Sequence, residues 1–245
     1  MSSLLPVVLA VGAAAFIALA AFSWWADQRR REQLMAFCRS KGWSFVAEDP
    51  TLVDRWTGTP FGEGERRRAR QVVSGTDRAR AMVAFDYSYV TSSTDSRGQR
   101  SETTHRFAVV ALALPTWLPR LQLTPENLLT RAAAAIGIDP DIELESEDFN
   151  RRYRVSARQP KFASDVLTPR TMQALLAKPA TAMRIDGNVL IGWESGRLEP
   201  VGLLSRLATL HALVDGIPGF VWKDHGYDPG VGPSSVTPQP GGSAP

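Results

Sequence analysis

The stretch AMVAFDYSYVTSSTDSRGQRSETTHRFAVVALAL, residues 81–114, decides the fold. From Ala81 to Tyr89 the odd positions are Ala81, Val83, Phe85, Tyr87 and Tyr89, whereas Asp86 and Ser88 are polar. That period of two predicts a strand buried on one face. From His105 to Leu114 the strand pattern resumes, and it is apolar on both faces from Phe107 onward, which predicts a central place in a sheet. Between the two, Thr91 to Glu102 is polar throughout and predicts a loop at the tip of a long hairpin.

Working towards the amino terminus, Gln71–Ser74 reads as a further strand and Gly75-Thr-Asp77 as the turn after it. Arg66, Arg67, Arg68 and Arg70 read as a solvated edge, with contact to anionic lipid as the alternative. The segment Asp54–Gly64, rich in turn formers and aromatics, is expected to fold over a sheet edge. Its Gly62 and Gly64 lack the Lys-Ser/Thr of a phosphate loop. Trp43–Val46 alternates as a short strand.

In the other direction, Pro115–Pro119 interrupts the central strand and Leu121–Leu123 is short. Thr124-Pro125-Glu126 predicts a helix start, with the helix running to Ile136 and Gly137 as its stop. Asp141–Glu145 and Tyr153–Val155 alternate as strands, and Thr168-Pro169 opens a helix to Ala177 that Pro179 ends. Ala182–Trp193 contains Asp186-Gly187, the signal of a tight hairpin turn. Pro200–Asp215 is amphipathic, with Leu203, Leu207, Leu210 and Val214 on one stripe and Gly216-Ile-Pro218 as its stop. The sum is an α+β fold: a mostly antiparallel sheet with about three packed helices. Strands followed by a C-terminal amphipathic helix loosely resemble pleckstrin-homology-like barrels, an analogy of fold that does not fix function.

Ahead of this domain lies Leu4–Trp25, LLPVVLAVGAAAFIALAAFSWW, without one ionisable side chain. Twenty-two residues at about 1.5 Å each reach roughly 33 Å, enough to cross a hydrocarbon core. Trp24 and Trp25 suit the headgroup layer, and Arg29, Arg30 and Arg31 follow at once. The positive-inside rule then keeps the domain cytoplasmic. A cleaved secretory signal ending near Ala18-Leu19-Ala20, which would make the protein secreted, is the rival, but a basic n-region is missing. The expected layout is a transmembrane anchor over 1–26, a juxtamembrane helix over 27–42 with Gly42 as its cap, a soluble domain over 43–223 and a disordered Gly/Pro-rich tail over 224–245.

Composition narrows the chemistry. The chain has 245 residues, and its 28 Lys and Arg are nearly balanced by 25 Asp and Glu, which argues against a nucleic-acid binder. Cys38 is the single cysteine, so no intramolecular disulfide forms, and at helical spacing from Leu34 and Phe37 it reads as a packed apolar residue. His105, His211 and His225 lack metal-ligand spacing, no nucleophile motif is present, and no cofactor is implied. Glu143, Glu145, Glu147 and Asp148 precede Arg151, Arg152 and Arg154, which reads as a salt-bridged surface rather than an acid–base pair. No catalytic, metal or cofactor-binding residue is assigned from the sequence.

The pattern Gly42-Trp43, Arg55-Trp56-x-Gly58-x-Pro60-Phe61, Phe85-Asp-Tyr87, Asp141-Ile-Glu-x-Glu145, Phe149-Asn-Arg-x-Tyr-x-Val155 and Leu167-Thr-Pro-Arg170 resembles an uncharacterised family of actinobacterial proteins. Those proteins carry one N-terminal membrane helix followed by a domain of unknown function, and the resemblance implies the same anchored layout here. The functional expectation is a single-pass membrane protein held by the lipid bilayer through Leu4–Trp25, with a cytoplasmic domain that binds a protein partner or anionic lipid and no nucleic acid. The alternative is a membrane-tethered enzyme whose site is assembled from Asp86, Tyr87, Glu145 and Arg154.

Overall fold

The computed structural model describes residues 4–94, 96, 98–126 and 141–230, the side chains of 4–13 and 15 excepted. Strands β3 (Arg80–Thr94) and β4 (Arg100–Pro125) pair residue for residue from Met82↔Leu112 to Thr94↔Arg100. Most of the polar segment Thr91–Glu102 is therefore ladder, not loop. Thr and Ser fit a pleated backbone, and polar pairs reach across it: Arg100 donates to Ser92 Oγ at 3.1 Å, and His105 Nε2 lies 2.9 Å from Thr91 Oγ1.

Outward from this hairpin, β2 (Glu65–Asp77) pairs with β3, and β1 (Ser44–Glu48) pairs with β2. The expected turn Gly75–Asp77 belongs to β2. The chain reverses instead at Arg78-Ala79, both left-handed (φ 45° and 61°), as a two-residue hairpin requires. On its other edge β4 carries β7 (Ala182–Ser195), from Ser195↔Phe107 to Met183↔Leu123. The expected hairpin at Asp186-Gly187 is thus absent, and the residues from 182 to 195 form one strand. Gly187 (φ 67°) absorbs an irregularity opposite Leu118, where the prolines of 115–119 also bend β4 without ending it. Past that bend, β6 (Tyr153–Ala157) takes up the edge of β4 that β3 has left, and β5 (Asp141–Ile142) lies outside β6. Among the described residues β1 pairs only with β2 and β5 only with β6, so the sheet stays open and is not a barrel. Thr124-Pro125 completes β4, and the rest of the helix expected after it lies outside the described residues. Of the tail expected over 224–245, Asp224 ends the helix Gly219–Asp224 and Tyr227 packs edge-on against Trp222, while 231–245 lie outside the described residues.

Both faces of the sheet are covered. One packs against helices: α1 (Leu4–Lys41), α2 (Glu147–Arg152), α3 (Pro160–Val166), α4 (Pro169–Leu176), α5 (Pro200–Gly216) and α6 (Gly219–Asp224). Beyond α1, expected separately, five α-helices are found among the described residues: α4 and α5 are two of the three expected, and α2, α3 and α6 are too short to show a period. Leu203, Leu207, Leu210 and Val214 of α5 are buried as expected, and Thr168 caps α4 by accepting the Thr171 N–H at 3.3 Å. Helix α1 stops at Gly42 (φ 67°): Trp43 N–H bonds Cys38 O at 2.8 Å, Gly42 N–H bonds Arg39 O at 3.3 Å, and the Trp43 ring meets Phe37 edge-on. Leu34 and Cys38 are buried beneath α1, and burial pushes the Cys38 thiol up.

The opposite face of the sheet is aromatic. Phe85, Tyr87 and Tyr89 lie under the segment 50–64, with Trp56 stacked on Phe85 at 5.9 Å and Phe61 tilted against Tyr87 at 5.0 Å. Strand β3 is therefore buried on both faces, since Met82 and Ala84 lie under the helices, and the 54–64 segment covers a face rather than an edge. Arg184, fully buried, pins that segment by donating to the carbonyls of Thr57 (2.7 Å) and Thr59 (3.3 Å). Burial, with Arg120 adding to it and Asp186 opposing, pushes its guanidinium down to about 10.

Among the described residues no helix is long and apolar enough to cross a membrane. Of the first half of the expected span, only the side chain of Ala14 is described, and it is exposed. In its second half, Phe16, Ile17, Leu19, Phe22, Trp24 and Trp25 are exposed on α1.

Candidate functional site

The helix-covered face of the sheet changes character along β3. Met82 and Ala84 pack into the core, and the next residues on that face are Asp86, Ser88 and Val90. Cross-strand register continues the change: Arg70 lies opposite Asp86, and Arg68 and Arg106 lie opposite Ser88 from its two sides. Helices α1 and α5 leave this end of the face partly uncovered. The result is a hollow of about 380 Å³ between β2–β4, Arg197 in the segment before α5 and the α1 turn that holds Asp27 and Arg30.

Two bulges in β2 aim its arginines. The register slips between Glu65 and Arg68 and again between Arg70 and Val73, and the residues at those slips, Arg66 and Gln71, are left-handed (φ 51° and 52°). A non-glycine residue there costs on the order of 1 kcal/mol, the kind of local strain that gathers at sites which re-aim side chains.

Six arginines line the hollow (30, 66, 68, 70, 106 and 197) against two aspartates (27 and 86). Both aspartates are neutralised. Asp27 pairs with Arg197. Asp86 accepts from Arg30 Nη1 at 2.6 Å and from the Leu198 N–H, while Arg30 also donates to Leu198 O at 3.2 Å. Arg30 and Asp86 are only 14% and 16% exposed, and burial outweighs the ion pair, so the Asp86 carboxyl lies above the usual carboxylate range. Arg66 pairs with Glu102 at 2.5 Å and Arg70 with Glu48 at 3.5 Å. Among the described residues Arg68 and Arg106 alone of the six have no carboxylate within 4.0 Å. Of the run Arg66, Arg67, Arg68 and Arg70, three residues are exposed as a solvated edge requires and also wall this concave basic site, whereas Arg67 pairs with Asp54 at 2.9 Å.

The other residues singled out by sequence do not converge. Tyr87 is buried on the aromatic face, opposite to the side chain of its neighbour Asp86. Arg154 is held by Asp141 through Nε at 2.7 Å, and Glu145 is exposed near α2. Arg151 pairs with Asp148 at 2.7 Å on the surface, whereas Arg152 donates to Leu176 O and Lys178 O and so clamps α4. His211 is buried with Nε2 2.8 Å from Asp77, His105 stacks on Tyr89 at 4.7 Å, and His225 Nδ1 lies 2.8 Å from Val221 O. Among the described residues no three His, Cys, Asp or Glu are grouped as metal ligands.

No known family and no curated protein matches the chain in sequence. Its fold does have a counterpart. The crystal structure of the mycobacterial trehalose monomycolate transport factor A, TtfA, superposes with a TM-score of 0.55 at 16% identity, over 77% of this chain and 96% of that one. At that identity the likeness is one of fold.

Proposed function

We propose that this chain is a single-pass membrane protein, anchored by Leu4–Trp25, whose cytoplasmic domain binds a lipid or protein partner at the membrane surface without catalysing a reaction. One observation carries this reading: the basic hollow begins at Asp27, two residues after the Trp24-Trp25 pair, so the anchoring helix is also a wall of the site. The segment leading into α5 is tied to α1 through Arg197–Asp27 and Arg30–Leu198, and the first turn of α5 that follows it exposes Val201 (80%) and Leu204 (41%). Exposed apolar groups rimmed by arginine suit an interface between headgroups and acyl chains. The shared fold with a factor named for transport of trehalose monomycolate supports a lipid-related role.

The test has two arms. A fluorescent reporter fused after Pro245 is expected to glow in the cytoplasm, and an external location would overturn the orientation. A photo-crosslinking residue at Thr104, on the rim of the hollow, is expected to capture membrane lipid from the full chain in native membranes; the same yield from a probe at the remote Ser164 of α3 would overturn the site.

A further inference from the structure

Arg68, Ser88 and Arg106 form a row across three adjacent strands on one face, with the hydroxyl between the two guanidiniums. Two inter-strand steps separate the arginine Cα atoms by roughly 10 Å, and each side chain spans over half of that, so both can close on one group above Ser88. Neither is engaged by a carboxylate among the described residues, and the remaining lining charges cancel in pairs. Planar guanidiniums in such a pincer match the oxygens of a phosphate, and a neighbouring hydroxyl supplies a further donor.

Resting on the membrane-tethered reading above, we propose that the hollow is a phosphate-binding site, formed by Arg68, Arg106 and the Ser88 hydroxyl, that takes the phosphate of an anionic lipid headgroup from the leaflet α1 enters. The lipid is favoured because Asp27 and Arg30 of α1 line the site at the foot of the anchor, and Arg197, also in its lining, leads into the α5 turn that exposes Val201 and Leu204, apolar side chains suited to the acyl chains of a bound lipid. A soluble phosphate would meet the same three groups, and the experiment separates the two sources.

The full chain is purified in an uncharged detergent and titrated with short-chain phosphatidylglycerol, short-chain phosphatidylcholine and inorganic phosphate, with binding read by native mass spectrometry and calorimetry. Phosphatidylglycerol is expected to bind at least tenfold tighter than phosphatidylcholine, and R68Q/R106Q to lose at least tenfold of that affinity. R68K/R106K, which keeps the charge but not the fork, is expected to recover only part of it. Because neither arginine holds the fold together, retained circular dichroism of the variants keeps the comparison sound. Equal binding by parent and R68Q/R106Q overturns the site. Inorganic phosphate binding as tightly as phosphatidylglycerol overturns the lipid source and makes the ligand a soluble phosphate. Carbonate extraction of native membranes is run in parallel. A chain that stays in the membrane but binds no phosphate probe defeats this proposal alone, whereas a chain that is extracted yet binds phosphate in detergent defeats the tether alone.

Discussion

Arg68 and Arg106, on one sheet face and without a carboxylate partner among the described residues, repel each other, so R68Q/R106Q is expected to be more stable than the parent. Their Cα atoms lie two strands apart, roughly 10 Å. Coulomb's law gives about 0.4 kcal/mol between unit charges at that distance in water and about 1.7 at the effective dielectric of a protein surface. Both side chains are exposed, so screening decides what survives. With a Debye length of about 30 Å at 0.01 M salt, roughly 0.3–1.2 kcal/mol remains, and at 0.15 M, where that length is about 8 Å, roughly 0.1–0.5. For a chain of this size that is a rise in Tm of about 1–4 °C in low salt and about 1–2 °C or less at physiological ionic strength. Thermal unfolding of the full chain in detergent, followed by tryptophan fluorescence across a salt series, measures it. A double variant less stable than the parent would refute the reasoning. So would a gain that does not shrink with salt, since repulsion must be screened. A site that binds an anion at a cost to stability is the trade expected of function.

Gly75→Ala places a Cβ 2.2 Å from Cδ1 of Trp43, whose indole N–H bonds Thr76 O at 3.0 Å, so the variant is expected to lose about 1–3 kcal/mol by denaturant titration. Burial holds Asp86 above the ordinary carboxylate value in the folded chain, so its contribution to stability is complete below about pH 4 and is lost as pH rises through the raised value. Asp86→Asn is expected to flatten that part of the stability–pH curve, visible as the difference between the two proteins from pH 3 to 7. Tyr87, Tyr89 and Tyr153 are all pushed up by burial, Tyr89 also by Glu63, so their contribution is full below about pH 10 and is lost above it. Tyrosinate absorbance is expected to appear together with loss of ellipticity, and three tyrosines ionising freely in a folded chain would contradict this.

Local chemistry made part of this fold legible. The Gly42 cap, the Thr168-Pro169 start and the stripe of α5 each depend on residues within a few positions of one another. The central hairpin was readable because Phe107–Leu114 is apolar on both faces. Turns were harder: Arg78-Ala79 takes two left-handed residues without the Gly or Asn that normally announces them, whereas Asp186-Gly187 carries that signal and spends it on an irregularity opposite Leu118, under the Trp117 ring. A glycine that permits a positive φ serves a bulge as well as a turn, and only the partner strand decides. The hollow could not be read at all. Arg68, Ser88 and Arg106 are far apart in sequence and meet only through register, and two bulges set which β2 arginines face Ser88.

The Arg30–Asp86–Leu198 latch stands at the boundary between the apolar and basic halves of this face. Its carboxylate is desolvated enough that the ion pair does not recover the cost of burial, so a contribution to stability is a poor explanation for it. Its geometry offers a better one. The guanidinium from α1 and the amide from the leader of α5 converge on one carboxylate of the sheet, fixing three elements at the point where α1 leaves the domain. Leu34 and Cys38 hold α1 down further along but, being apolar, resist rotation of the helix only weakly. The latch fixes that rotation, and with it the position of Asp27 and Arg197 over the hollow. Arg30→Met/Asp86→Leu, which replaces the whole pair by apolar side chains and so leaves no buried charge unpaired, is therefore expected to alter headgroup binding more than overall stability. If the two fell in proportion, the latch would be part of the fold's support and not the device that sets the anchor against the site.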